Sequence, residues 1–282
     1  MAVIRLASKW LFRLTLGEVH RCRVRRWVKG TLQFALYQFR DWPGMNLHKV
    51  AAMRFDLILH GFSKGVSVGW LGKSSNQVYS NAFDYIQNHF PEKKVDVLAK
   101  EGLAAWIDET SKDKNIVASE HWNAESSLCV LLYTLIVLNN FNKVIETGVA
   151  NGVTTRVMMR ALERTGGTLH SFDILEESKN VYKGHGSWVF HKLEPNRGIQ
   201  KQLRREVGSI GDCDMWVHDS NHGQTWQEFE YALAWSHLRN KGVLLSDDVD
   251  ASPAWGFASS KYLNQPAVIF DTRKFIGVSF KN

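Results

Sequence analysis

Apolar and polar positions along this chain fall into two rhythms. Short apolar runs of strand character lie at Val144–Glu146, Thr168–Phe172, Ser187–Phe190, Asp214–Val217 and Gly242–Ser246, and the stretches between them have helical spacing. Strand and helix in alternation predict a doubly wound, largely parallel sheet. The helix after the first strand runs to about Arg164 and is ended by Gly166-Gly167. Ala267–Asp271 and Phe275–Phe280, joined by Thr272-Arg273-Lys274, read as a closing hairpin. Upstream, the apolar run Leu128–Leu138 predicts a buried helix capped by Ser126-Ser127. It contains Thr134 and falls well short of the roughly 18–20 residues that a membrane span needs. Val50–Leu59 and Val97–Ile107 have helical spacing, with a glycine-rich break from Gly61 to Gly72 between them. The chain thus divides into a helical N-terminal region, 1–118, and an α/β domain, 119–282.

Composition and charge change the picture chiefly at the N-terminus. A chain of 282 residues with 44% hydrophobic content suffices for one large α/β domain and an accessory region. Five prolines and no low-complexity tract argue against long disordered linkers. Cys22, Cys129 and Cys213 are far apart, odd in number and without metal-type spacing, which predicts a reducing compartment, the cytoplasm by default. Of the net charge of +7, the excess lies in residues 1–49, where Arg5, Lys9, Arg13, Arg21, Arg23, Arg25, Arg26, Lys29, Arg40 and Lys49 face only Glu18 and Asp41. Arg5, Lys9 and Arg13 would share one stripe of a helix, with Ile4, Ala7, Leu11 and Leu14 opposite. Such a helix suits an anionic membrane surface or nucleic acid through residues 1–30, or packing on its own domain. Lys9 and Arg13 interrupt any secretory apolar region, whereas an arginine-rich, acid-poor start also fits an organellar transit peptide.

The candidate chemistry sits at strand ends. Glu146 closes the first strand and is followed by Thr147-Gly148-Val149-Ala150-Asn151-Gly152, then by a helix opened by Thr154 and Thr155. An acid, two glycines four apart and a helix start suit a nucleotide-like ligand at a strand's carboxyl end. The third glycine of the dinucleotide fingerprint is missing, and a turn that needs glycine on steric grounds alone is the plainer alternative. Asp173 ends the second strand 21 residues after Gly152, the place of an acid that accepts from ribose hydroxyls, or one that caps the next helix. The fourth strand runs into His218-Asp219-Ser220-Asn221-His222 and the fifth into Asp247-Asp248. Taken singly these are also readable as a capped helix start and an exposed acidic turn.

The pattern Glu146-x-Gly148-x-x-x-Gly152-x-Thr154 resembles motif I of class I S-adenosylmethionine-dependent methyltransferases, and the likeness runs from about Ser119 to the C-terminus. The stretch Asp214–Glu230 resembles the I-D-G-D-H-S-Y-E signature of a large group of small-molecule and sugar methyltransferases. Asp219, His222 three residues on, and the pair Asp247-Asp248 are similar in spacing to the metal-dependent macrolide-sugar and aminocoumarin O-methyltransferases. This resemblance implies a Rossmann-like, doubly wound, seven-stranded α/β sheet with an N-terminal helical extension, some of whose helices form a lid. It implies S-adenosylmethionine held by Glu146, Thr147, Gly148, Asn151, Gly152, Thr154, Asp173 and Asp219. It further implies Mg²⁺ held by Asp219, Asp247 and Asp248, with His222 as the base. Strands four and five are neighbours in that sheet, so these carboxylates meet at one rim, where a divalent cation relieves their repulsion and lowers the pKa of a substrate hydroxyl. The chain departs from the commoner pattern in Ser220-Asn221 and in Asp247.

The activity implied is methyl transfer to a hydroxyl of a sugar, a glycoconjugate or another polar small molecule. Two alternatives stand beside it: a metal-independent methyltransferase, and a non-catalytic domain of this type that binds membrane or nucleic acid through its basic N-terminus. His191 and His218 read as packing or supporting residues, and Trp188, Trp226 and Trp255 as core or as the lining of an acceptor site. The acceptor, and whether the chain forms a homo-oligomer, are written in no motif.

Overall fold

Side chains on a strand alternate between its two faces, and the central strands here sort their residues accordingly. Val144, Met215, Val217, Val243 and Leu245 join one buried cluster, while Ile145, Trp216 and Leu244 join another on the opposite face. The computed structural model describes residues 67–68, 76–79, 81–91, 93–111, 117–118, 123–271 and 274–282. The chain divides into two units, Met1–Leu47 with Thr272–Lys274 and His48–Asp271 with Phe275–Asn282; apart from Lys274, the described residues lie in the second. The basic helix expected in residues 1–30 and the helix expected at Val50–Leu59 lie outside the described residues.

The first described elements are strands β1 (Ser67–Val68) and β2 (Asn76–Tyr79), then helices α1 (Ala82–His89), α2 (Lys93–Ser111) and α3 (Ser126–Leu138). Next come β3 (Lys143–Thr147), α4 (Val153–Thr165), β4 (Thr168–Asp173), β5 (Ser187–Lys192), α5 (Ile199–Ile210) and β6 (Cys213–His218). The chain ends with α6 (Gln224–His237), β7 (Leu238–Ser246), α7 (Ala254–Lys261), β8 (Ala267–Asp271) and β9 (Lys274–Phe280).

These strands form one sheet in the order β1-β2-β8-β9-β7-β6-β3-β4-β5. From β5 to β7 all neighbours are parallel, and β9 runs antiparallel to β7. The seven strands from β5 to β8 are those expected from the sequence, with β9 inserted between β7 and β8. Beyond the expected edge, β2 adds parallel to β8 and β1 antiparallel to β2. Strands of two and four residues are too short to display a period, and neither was expected. The eight-residue helices α1 and α7 were missed for the same reason, and α2 extends beyond its expected span of Val97–Ile107.

One face of the sheet is covered by α3 and α4, the other by α5, α6 and α7. Residues Ser127 to Ile136 of α3 are all buried, which explains a helix that is apolar on every side. Among the described residues no helix is long and apolar enough to cross a membrane. Helix α2 is clamped to α4 by ion pairs of Arg156 with Glu109 (2.9 Å), Arg160 with Asp108 and Glu109, and Arg164 with Glu101.

The start of α3 corrects the expected serine cap. Its N-cap residue, Glu125, makes no side-chain cap bond, and the orphan amides of Ser127 and Leu128 donate instead to the two carboxylate oxygens of Asp271, each at 3.0 Å. A buried acid from β8 thus serves the positive end of the helix. Replacing it, Asp271→Ala, is expected to lower unfolding free energy by about 2–4 kcal/mol, measured by urea denaturation. A loss below about 0.5 kcal/mol would show that the cap is dispensable.

Candidate active site

The chain leaves β3 through α4 toward β4 and β5 on one side, and β6 and β7 lie on the other. The carboxyl ends of β3 and β6 therefore border a topological switch point, where parallel sheets open a crevice for ligands. Gly148 sits at its centre with φ of 87°. A Cβ there would lie 1.9 Å from the carbonyl oxygen of Asp219, so only glycine lets the two strand ends approach this closely. The Asp219 amide donates to the Thr147 carbonyl (2.9 Å) and the Gly148 amide to the Phe172 carbonyl (2.8 Å), which stitches β3 to both neighbours. Gly152, also left-handed, starts α4 at a point where a Cβ would meet Val181 at 2.4 Å.

The acids around this loop bind the protein itself. Glu146 is wholly buried and accepts from the hydroxyls of Thr154 (2.7 Å), Thr155 (2.7 Å) and Ser171 (2.6 Å). Burial pushes its carboxyl up to about 7 despite those three hydrogen bonds, which act in the opposite direction. One oxygen of Asp173 accepts from the amides of Val149 (2.7 Å) and Ala150 (2.9 Å), and the other from Leu175 (2.8 Å), so this acid shapes the glycine loop and begins the following turn. Asn151 accepts from the amides of Val117 (2.9 Å) and Ala118 (2.7 Å) and donates to the Ala118 carbonyl (3.1 Å) and the Asn123 side chain (2.9 Å). The Thr147 hydroxyl donates to Glu230. Of the residues expected to hold a cofactor, Glu146, Thr147, Asn151 and Thr154 thus have side-chain partners within the protein. Gly148 and Gly152 give it its shape, and Asp173 and Asp219 stand at its rim. Ile174, directly after Asp173, is an exposed apolar side chain on the same rim.

Across the crevice, the ends of β6 and β7 bring His222, Asp219 and Asp248 together. His222 Nε2 lies 3.5 Å from Asp248 Oδ2 and 3.9 Å from Asp219 Oδ1. The ring stands edge-on to His218, centroid to centroid 5.4 Å. Asp247 is fully buried, its amide donating to the His218 carbonyl (2.8 Å), and Asp248 follows in a left-handed conformation with φ of 46°. By donor chemistry three carboxylates suit Mg²⁺. As placed they do not gather round one point: among the described residues no three His, Cys, Asp or Glu side chains are positioned to hold a metal ion. What lies between Asp219 and Asp248 is the imidazole of His222.

One residue of the site was not singled out from the sequence. Glu230, fully buried on α6, accepts at Oε1 from the hydroxyl of Thr147 and from Trp216 Nε1 (3.0 Å). At Oε2 it accepts from Ser220 Oγ (2.9 Å) and Trp226 Nε1 (2.8 Å), and His218 Nδ1 is 3.0 Å from Oε1. Burial pushes its carboxyl up, but the His218 imidazole and the hydrogen bonds from His218, Thr147 and Trp216 outweigh it, leaving the group below the usual carboxylate range. The available signal was an acid on the stripe Gln227, Glu230, Tyr231 and Ala234, which faces the core.

Residues 145–249 match the family model of a methyltransferase domain, from the strand of the glycine loop to just past Asp247-Asp248. No curated protein matches the chain. Among solved structures it is similar to the O-methyltransferase from Bacillus cereus in complex with SAH, 14% identical, covering 71% of this chain and 98% of that one, with a TM-score of 0.43. The SAH-bound methyltransferase PaMTH1 of Podospora anserina is 8% identical, with 67% and 94% covered and a TM-score of 0.45. MycE of the mycinamycin biosynthetic pathway, in complex with Mg and SAH, is 18% identical with a TM-score of 0.38; the match covers 51% of this chain and 37% of MycE.

The raised pKa of Glu146 has a measurable consequence. The unfolded chain releases this proton near pH 4.5 and the folded chain near 7, so stability falls as pH climbs through that window and stays reduced above it. Glu146→Gln carries no such loss. Its thermal midpoint relative to wild type is expected to be roughly 5 °C more favourable at pH 8 than at pH 5, and an equal difference at both pH values would contradict the assignment.

Proposed function

We propose that this chain is a class I S-adenosylmethionine-dependent methyltransferase that transfers the methyl group to a hydroxyl oxygen of a small polar molecule, a sugar or sugar conjugate foremost. The observation that carries the reading is the cluster of Asp219, His222 and Asp248 beside the glycine loop, tied to it by the backbone contact of Asp219 with Gly148. A base flanked by carboxylates suits an acceptor that must lose a proton, and oxygen acceptors must.

The left-handed Gly148, the loop moulded by Asp173 and the exposed Ile174 fit a nucleoside: backbone at close range, an acid near hydroxyls and an apolar surface for a flat ring. Bound there, S-adenosylmethionine supplies an electrophilic methyl carbon. His222 takes the proton of the acceptor hydroxyl as the oxygen forms its bond to carbon and the carbon–sulfur bond breaks. Asp219 and Asp248 stabilise the imidazolium that results. The remaining contribution is to hold the two reactants in line, a task for the stitched ends of β3, β6 and β7.

The carboxylate donor set favours a second reading, in which Asp219, Asp247 and Asp248 take up Mg²⁺ and His222 is displaced from between them. Turnover with EDTA separates the two. A rate that EDTA leaves intact supports the base alone, and one that EDTA abolishes and Mg²⁺ restores supports the metal.

Calorimetric titration of S-adenosylhomocysteine into the wild type is expected to show micromolar binding, weakened at least tenfold in Asp173→Ala. With methyl-labelled S-adenosylmethionine and a panel of sugar acceptors, His222→Ala is expected to cut turnover by about 10²–10⁴ while leaving S-adenosylhomocysteine affinity in place. Absence of any S-adenosylhomocysteine binding would overturn the reading.

A further inference from the structure

A single buried carboxylate meets both sides of the crevice. Through Oε1 Glu230 receives the Thr147 hydroxyl, from the last residue of β3, next to Gly148, and through Oε2 the Ser220 hydroxyl, from the turn that carries Asp219 and His222. Trp216 Nε1 and Trp226 Nε1 complete its shell from β6 and α6, and Trp226 Nε1 also reaches Ser220 Oγ at 2.9 Å. His218 Nδ1 is 3.0 Å away, and its ring stands edge-on against His222. Thr147, Trp216, Ser220 and Trp226 all donate to it, and a carboxylate is the side chain that offers lone pairs alone. Hydrogen bonds to an ionised acceptor are also the strong ones.

We propose that Glu230 is a positioning residue that joins the cofactor strand to the Asp219–His222 turn, so that filling the glycine loop orders the proposed base. The inference rests on the reading of the crevice as a methyltransferase site. Its logic is geometric. Thr147 and Ser220 belong to adjacent strand ends, and neither hydroxyl reaches a shared acceptor except this one. With the carboxylate in place, displacement of the glycine loop displaces the turn as well. With an amide in its place, an N–H₂ group faces at least one of the donors, and the two strand ends keep their backbone seam but lose their shared side-chain acceptor.

The test is hydrogen exchange of the 282-residue chain, read by mass spectrometry with and without S-adenosylhomocysteine, for wild type, Glu230→Gln and Ser220→Ala. In the wild type the nucleoside is expected to slow exchange both in residues 146–153 and in residues 218–223. In Glu230→Gln the affinity should stay within threefold and the slowing at 146–153 should persist, while that at 218–223 falls at least fivefold. Ser220→Ala removes only the hydroxyl on the turn side, and is expected to reduce the slowing at 218–223 at least twofold even if Glu230→Gln does not fold. Once an acceptor is in hand, the Glu230→Gln effect should appear in kcat, with KM for S-adenosylmethionine within threefold. Unchanged slowing at 218–223 in both variants overturns the role of Glu230, as does a loss of binding and of slowing everywhere, which marks a merely structural residue. A wild type that binds no S-adenosylhomocysteine fails at the earlier step, the assignment of the crevice, and takes this inference with it.

Discussion

The ends of β3 and β6 touch backbone to backbone where Gly148 meets the carbonyl of Asp219, and the crevice depends on that contact. No side chain fits between them, so the glycine loop and the acidic turn share one wall rather than facing each other across a gap. The same approach lets the Asp219 amide reach the Thr147 carbonyl, which extends the β3–β6 pairing one step beyond the regular ladder. A site whose two halves must hold their reactants in line gains from having a common backbone seam.

The charges near this seam are mostly occupied in holding it. Glu146 gathers hydroxyls from α4 and β4, Asp173 gathers the loop's amides, Glu230 gathers donors from β3, β6 and α6, and Asp271 serves the start of α3. Each is a buried acid with donors on both oxygens, the condition under which a carboxylate is tolerated away from water. His222 stands against Asp248 and Asp219 at 3.5 and 3.9 Å, where the ends of β6 and β7 meet.

Much of this was legible in the sequence because it is written in short range. Short apolar runs with helically spaced stretches between them marked β3 to β9, and the spacing from Gly152 to Asp173 and from Asp219 to His222 marked the strand ends on which chemistry collects. What was hidden is long range. The acceptor for the α3 amides lies 144 residues from Ser127, and Ser127, which looked like part of the cap, is itself one of the two residues that are capped. The partners of the Asn151 amide, residues 117, 118 and 123, lie about 30 residues upstream of it. Glu230 looks like one of two acids, beside Glu228, on an ordinary amphipathic helix until the indoles of Trp216 and Trp226 are seen to converge on it. The strands β1 and β2 left no trace because their order comes from the edge of β8, not from their own pattern.

Neighbouring residues at the end of β3 serve opposite faces of the sheet. Glu146 reaches the helix α4 and Thr147 the helix α6, continuing the parity by which Val144 and Ile145 enter separate clusters. Parity is indifferent to which similar side chain fills a position but not to the number of positions. A one-residue insertion or deletion within Lys143–Thr147 would send the acid toward the carboxylate of Glu230 and the threonine toward hydroxyls that no longer have an acceptor. During evolutionary divergence, then, this strand is free to change its letters but bound to keep its length, whereas the surface loops that flank the crevice can change both.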